Sequence, residues 1–440
     1  MTTSDYQSWG RLDRRARRAI SVHAFEEEGR DAAPGAFLPF GNGRSYGDSC
    51  HNNAGALIDS RTRSRINSFD PGTGILSCDP GVTLKQVLER AIPNRFFLPV
   101  TPGTAFVTVG GAVANDVHGK NHHARGTFAH HVLGLTLLRS NGDLLVCSPR
   151  ENSDFFFATI GGMGLTGLIL SVDLQLMKVP SAHIQQHAIR FDRLDDYFAM
   201  VDRIDSEHEY SVAWIDQLAT GKSMGRGVLL AGDHADASCE FPDMPRGLKL
   251  GVPFSPPFNL LNRLTLKGFN ELYYRKEKPV EIVSTVKWPG YFYPLDVITN
   301  WNRLYGPKGL YQHQSVFPAE EAPATTALLM ETARKAGHAS FLTVLKKFGD
   351  RPQRGILSFA RPGFTLTLDF ANQGERTLTL LDALDAIVLE AGGAINPYKD
   401  AHMSPETFAA SFPDWKKLEA LRDPAMVSNF WKRTALLLPK

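Results

Sequence analysis

Hydrophobic and polar positions change rhythm near residue 180. Ahead of it, short apolar runs bounded by glycine predict strands: AFLPF (36–40), GALID (55–59), GILSC (74–78), RFFLPV (95–100) and HVLGLTLL (131–138). Thr83 with Gln86 is a capping-box signature, and Leu84, Val87, Leu88 and Ile92 follow on one helical face. Asn141-Gly142-Asp143 predicts a hairpin turn. Leu170, Val172, Leu174 and Leu176 alternate with Ser171, Asp173 and Gln175, the pattern of a strand with one buried face. Beyond Pro180, helical periods at 191–204, 325–337 and 377–393 mix with strand runs at 210–218, 315–318, 341–349 and 363–371. The chain therefore reads as α+β, with a front domain over 1–180 and a second α+β domain with an antiparallel sheet over 181–395.

Composition changes this picture little. The 440 residues are 43% hydrophobic and 21% charged, which excludes wholesale disorder and a disulfide-dense mini-scaffold. The 48 basic and 46 acidic side chains leave +2, so no nucleic-acid partner is expected. No run approaches a membrane span, and the first twenty residues hold no apolar core of a secretory signal, so a cytoplasmic protein is expected. Cys50, Cys78, Cys147 and Cys239 are widely spaced without a CxxC, which reads as reduced thiols. Residues 246–278 combine seven Lys or Arg and two Glu with eleven Leu, Val and Phe. That mixture suits a membrane interface or a lid, and equally a core helix with solvated basic edges. RLDRRARR (11–18) reads as a further membrane contact or a solvated helix face.

Three glycine-rich loops carry the candidate chemistry. The first, Gly41-Asn42-Gly43-Arg44-Ser45-Tyr46-Gly47-Asp48, follows a strand and suits an anion nest of backbone N–H groups, with a plain tight turn as the alternative. The second runs from Thr101 through Gly103 and Thr104 to Thr108-Val109-Gly110-Gly111. The third, Gly161 to Gly167, contains a literal GxGxxG, but a helix precedes it and a strand follows, the reverse of a Rossmann site. Three nests spread over 130 residues suit one long dinucleotide. His118, His122, His123, His130 and His131 cluster within fourteen residues. They lack the partners of a zinc site, although His118 and His122 have helical i,i+4 spacing, so no metal is expected; lining of a cofactor ring or plain surface fits better.

The runs GNGRSYGD, PGTAFVTVGGAVANDVHGKNHHARGTF and FFFATIGGMGLTGLI resemble the FAD domain of the vanillyl-alcohol-oxidase and p-cresol-methylhydroxylase type. More narrowly they resemble the decaprenylphosphoryl-β-D-ribose 2-oxidase family, and YSVAWID, FYPLD, YQHQSVFP, SFLTVLKKFG and YKD extend the likeness over most of the chain. The resemblance implies a two-subdomain FAD-binding domain, a substrate domain, and a segment 396–440 that returns to the FAD domain. It implies that positions 39–49 wrap the pyrophosphate. Gly103, Thr108, Val109, Gly110, Gly111, Asn115, His118 and Gly119 would line the adenosine and flavin, and the Ile169 backbone would hold the ring. Arg44 and Thr104 stand where covalently flavinylated relatives carry His and Cys, so FAD is expected to be non-covalent.

The implied reaction oxidises the 2-hydroxyl of a polyprenylphosphoryl pentose to a keto sugar by hydride transfer to flavin N5. It would be the first half of an epimerisation in cell-envelope biosynthesis. An NAD(P)H-dependent keto-sugar reductase would be the partner, with peripheral contact at the inner face of the plasma membrane. The alternative is a flavin oxidase of soluble sugars or aldonolactones. Lys399 is the first catalytic candidate, as base, as holder of the hydroxyl, or as stabiliser of reduced flavin, with Tyr46 and His118 as other proton carriers. Gln312 and Gln314 alternate on one strand and so share a face, suited to sugar hydroxyls. Trp214 suits stacking on a sugar or core filling, and Lys346 a substrate phosphate; Lys347, next in the strand, faces the other way. Three positions depart from the family pattern: Thr367 for a Cys, Asn396 for a Tyr and Tyr293 for a His.

Overall fold

A computed structural model describes residues 2–3, 6–29, 32–238, 250–278 and 280–439. The front domain has two small sheets. In one, Arg17–Ser21, Ala56–Asp59 and Phe37–Phe40 pair in parallel, with Thr2–Thr3 antiparallel at the edge. In the other, Ile66–Phe69, Ile75–Cys78, Leu168–Gln175, Val132–Leu138 and Leu144–Cys147 form an antiparallel sheet. The helix Leu84–Ala91 begins at the Thr83–Gln86 capping box and buries Leu84, Val87 and Leu88. The predicted strand 95–100 is only Phe96–Phe97, because Pro99 and the following loop turn away to form part of the site.

The second domain is an eight-stranded sheet in the order Ile282–Val286, Ile184–Phe191, Gly227–His234, Tyr210–Ile215, Val344–Phe348, Gly363–Ala371, Leu310–Phe317, Ala394–Ile395. All these pairings are antiparallel. The helices Leu194–Glu207, Ala322–Lys335 and Glu375–Glu390 cover one face with Tyr197, Val201, Leu329, Leu380 and Leu384. The opposite face looks toward the front domain. Pairing sets which side chains it carries: Gln312 lies opposite Asp369, Gln314 opposite Thr367, Lys346 opposite Thr365 and Trp214 opposite Val344. Directly paired residues share a face, so chemistry spread over more than 150 residues of sequence meets on one surface.

The C-terminal residues dock on the front domain. Met426 bridges Phe37, and Asn429 N–H donates to the His51 carbonyl at 2.6 Å. Arg433 pairs with Asp48 at 2.9 Å and with Asp400, joining the first glycine loop to the turn that follows Lys399.

The helix-face reading of residues 11–18 is corrected. Residues 11–16 are not helical; Arg11 has φ 56, and Arg17, starting a strand, is buried against Asp13, Asn53 and His51. Within 246–278, residues 246–249 lie outside the described residues. The rest holds the helix Arg263–Lys276, whose Leu266, Asn270 and Tyr274 are buried while Leu264 and Leu272 are 81% and 75% exposed. Asn270 donates to Asp216 at 2.7 Å, and Arg226 bridges Asp216 and Glu271, so charge and amide contacts fix this helix to the ends of two interior strands. No helix among the described residues is long and apolar enough to cross a membrane.

Candidate active site

A cavity of about 770 Å³ separates the glycine loops from the sheet face. Gly41, Asn42, Gly43, Arg44, Ser45 and Tyr46 line it from the first loop; Gly103, Thr104, Thr108, Gly110 and Gly111 from the second; Met163, Gly164 and Gly167 from the third. Asn115, His118, Gly119 and Ile169 also line it. Gly47 and Val109 do not. A Cβ on Gly47 would stand 1.5 Å from the Asp400 carbonyl oxygen, so this glycine admits a backbone crossing behind the loop. Val109 is fully buried in the front-domain core. Gly43 (φ 58) and Gly164 (φ 74) take the left-handed backbone that turns their loops toward the cavity.

The residues fit a large planar anion-bearing cofactor. The Arg44 guanidinium lies 4.4 Å from the Trp9 ring centre and 5.5 Å from that of Phe106. Its Nε is buried without a partner while the residue lines the cavity, a donor aimed at an acceptor that the protein does not supply. Asn42 and Asp296 brace the loops, Asn42 donating to the Phe106 carbonyl and Asp296 accepting from Ala105 N–H, both at 2.8 Å.

The sheet wall carries Trp214, Gln312, Gln314, Val344, Lys346 and Thr367, and Lys399 enters from the turn after Asn396. Lys399 Nζ sits 4.4 Å above the Tyr46 ring. Burial lowers this lysine to about 8, and the Asp369 carboxylate opposes that fall. Asp369 is fully buried, accepts from Gln312 Nε2 at 2.6 Å, and is pushed up to about 7 by burial. Tyr46 is driven well above the ordinary phenol value, first by burial and then by Asp369, so its hydroxyl stays protonated. Lys346 lies 3.0 Å from His118 Nδ1, and Gln314 lies 3.0 Å from His118 Nε2. Lys347, on the other side of the strand, pairs with Asp202 at 2.7 Å. Trp214 packs edge-on to Tyr273 at 4.7 Å, and Tyr273 and Phe269, both on the helix Arg263–Lys276, form an aromatic rim with Phe341.

Of the five clustered histidines, His118 lines the cavity. It is extended, in a bridge to Thr127, and the helix covers only His122–Arg125, so the helical pair with His122 does not form. His122 accepts from Gly349 N–H at 3.1 Å, His130 caps Thr127, and His123 and His131 contact the carbonyls of His208 and Arg125. Cys50, Cys78 and Cys147 are free thiols, their pKa values pushed up by burial to between about 11 and about 12; Cys239 lies outside the described residues. Sequence reasoning missed Asp369, Lys120 and Asn396 as working parts of the site. Asp369 is one polar residue of an ordinary strand, Lys120 is overshadowed by the histidines around it, and Asn396 stands out only as a departure from the family pattern.

The FAD binding domain family matches residues 31–148, the span holding the first two glycine loops and His118. With the cavity, this makes the protein an FAD-dependent oxidoreductase. The chain is 34% identical to the decaprenylphosphoryl-β-D-ribose oxidase of Mycolicibacterium smegmatis over 99% of its own length and 98% of that relative. It belongs to the decaprenylphosphoryl-β-D-ribose oxidase family. Two lactone oxidases match less of it: D-arabinono-1,4-lactone oxidase of Yarrowia lipolytica is 27% identical over 31% of this chain and 27% of its own. L-gulonolactone oxidase of Bos taurus is 30% identical over 30% of this chain and 29% of its own.

Proposed function

We propose that the protein oxidises the 2-hydroxyl of a polyprenylphosphoryl pentose to a keto sugar, the first half of an epimerisation. A separate NAD(P)H-dependent reductase would complete it. The observation that carries the reading is the polar sheet wall, Gln312 and Gln314 flanked by Lys346, Lys399 and Trp214, facing loops that belong to an FAD domain. FAD, when bound, supplies the two-electron acceptor. The loop residues Gly41 to Tyr46, Gly103, Thr108, Gly110, Gly111 and Asn115 to Gly119 would hold it, with Ile169 beside them and no covalent link. Gln312 and Gln314 orient sugar hydroxyls, Trp214 stacks on the sugar, and Lys399 with Tyr46 and His118 surrounds the reacting carbinol. The name of the Mycolicibacterium relative supports a lipid-linked pentose.

The prenyl chain would leave past the aromatic rim toward the helix Arg263–Lys276. Exposed Phe254, Phe258, Leu264 and Leu272 beside Arg263, Lys267 and Arg275 suit an acidic bilayer surface. The protein would then work at the inner face of the plasma membrane. Flotation with anionic liposomes tests this: binding that is lost in a Leu264→Ser/Leu272→Ser variant is expected, and no flotation of the parent protein removes the membrane contact.

Anaerobic mixing with a polyprenylphosphoryl ribose tests the reaction. Bleaching of the flavin absorbance within a turnover is expected. Bleaching by free sugars or aldonolactones instead, with peroxide formed in air, would transfer the protein to the lactone-oxidase reading. Acid precipitation is expected to leave all flavin in the supernatant; flavin in the pellet would mean a covalent link.

A further inference from the structure

Four side chains and one backbone group in the cavity form a hydrogen-bond chain whose direction is set from one end. Tyr398 N–H donates to Asn396 Oδ1 at 3.0 Å. The other arm of that amide is therefore the NH2 group, which donates to Gln314 Oε1 at 2.8 Å. This orients Gln314 in turn. Its NH2 group donates to Thr365 Oγ1 at 3.1 Å and meets His118 Nε2 at 3.0 Å. An amide NH2 only donates. His118 Nε2 must accept, and the neutral imidazole carries its proton on Nδ1. That N–H points at Lys346 Nζ, 3.0 Å away. An ammonium there would set donor against donor, whereas an amine has a lone pair to accept with. The same nitrogen still donates to the Gly119 carbonyl at 3.2 Å.

The surroundings act in the same direction. Lys346 is removed from water and faces Lys120 and Lys399 as like charges, with His118 and His122 near it and the Phe348 ring centre 5.8 Å away; burial leads in lowering it to about 7. Lys399 differs, because the Tyr46 ring beneath it and the Asp369 carboxylate both favour its charged form.

We propose that Lys346 stands in the site as a free amine and takes the proton of the substrate hydroxyl, while Lys399 stays cationic and holds the oxygen. The O–H bond breaks and its proton bonds to the Nζ lone pair. The electron pair left on oxygen closes the carbonyl as the carbinol C–H pair departs as hydride to FAD, the oxidant. Lys346 is then no anchor for a phosphate. The catalytic half of this inference rests on the alcohol-oxidation reading above; the protonation state of Lys346 does not.

Two measurements test the two halves. In holoprotein labelled with 15N-lysine, a resonance that disappears in Lys346→Arg is expected to move from ammonium to amine shift near neutral pH. A resonance that stays ammonium up to pH 9 overturns the proposal, whatever the substrate. In single-turnover flavin reduction, Lys346→Arg carries a permanent charge and has no usable lone pair. It is expected to be at least about 100-fold slow at saturating substrate with KM little changed. Lys346→Ala should regain rate with added methylamine, in proportion to its unprotonated fraction. A near-normal rate in Lys346→Arg overturns the base assignment. Failure of the parent protein to react with any polyprenylphosphoryl pentose, with the neutral-range titration intact, would sink the substrate reading alone.

Discussion

Across the cavity, the loops at 41–47, 101–111 and 161–167 meet the sheet face of Gln312, Gln314, Lys346 and Thr367, and the two walls are built differently. The loop wall is mostly main chain at close approach. A Cβ on Gly41 would stand 2.5 Å from Thr108 Oγ1, and one on Gly110 would stand 2.8 Å from Pro80 Cβ. The sheet wall is side chain, delivered by strand register and tuned by burial. A wall of main chain tolerates little added volume, whereas a wall of side chains tolerates change in shape but not in protonation or hydrogen-bond direction. Substitutions on the loop side should therefore act on folding and FAD retention, and those on the sheet side on rate and pH dependence.

The sharpest contrast within the loop wall is between two glycines. Gly47→Ala would drive a Cβ to 1.5 Å from the Asp400 carbonyl oxygen and 2.4 Å from its carbon, both main-chain atoms. It is expected to cost at least about 3 kcal/mol, the upper end for overpacking, and to yield protein without FAD. Gly103 has no atom within 4 Å of the same position, so Gly103→Ala should change thermal stability by no more than about 0.5 kcal/mol. Melting curves and flavin-to-protein ratios check both. Equal behaviour of the two would break the main-chain account of this wall.

On the sheet side the largest expected effect is Lys399→Met, with single-turnover flavin reduction about 10²- to 10⁴-fold slower and FAD still bound. Loss of FAD in this variant would move Lys399 from the substrate to the cofactor.

The two walls also differ in how far the sequence announced them. Glycine spacing and flanking strands are local, so the loops were legible, as was the Thr83 capping box. Gln312 and Gln314 were legible because a period of two puts them on one face. Asp369 was not: in Phe364 to Phe370 it looks like one more polar residue of a strand, and only its register opposite Gln312 gives it a role. Gly47 and Val109 were misjudged as lining for the opposite reason. A glycine-rich loop advertises close approach without saying whether the neighbour is a ligand or, as at Gly47, the chain itself.

Asp369 also gives a stability test of the sheet wall. Burial raises it from 3.8 to about 7, so the folded protein holds a proton that the unfolded chain has released over that interval. The contribution is complete below about pH 4 and is lost as pH rises toward 7. Asp369→Asn cannot titrate and still offers Oδ1 to Gln312. Between pH 4 and 7 the variant should gain on the parent protein by at most roughly 4 kcal/mol, read from urea midpoints. A difference that does not change with pH would place the Asp369 carboxyl in contact with water.

The smallest expected effect tests hydrogen-bond direction. Asn396→Asp keeps an oxygen for Tyr398 N–H but has no NH2 to give Gln314. Gln314 should then turn its own NH2 toward the new carboxylate and its Oε1 toward His118. The imidazole proton moves to Nε2, Nδ1 becomes an acceptor, and Lys346 can hold its ammonium without a donor conflict. The carboxylate charge acts in the same direction. The acidic limb of the rate profile, which falls as Lys346 is protonated, should therefore shift upward by about one pH unit, with the rate at high pH reduced far less than in Lys346→Arg. Asn396→Ala, which leaves Gln314 free to turn either way, should shift it less. An Asn396→Asp profile that coincides with that of the parent protein would mean that the chain from Tyr398 to Lys346 does not govern the lysine.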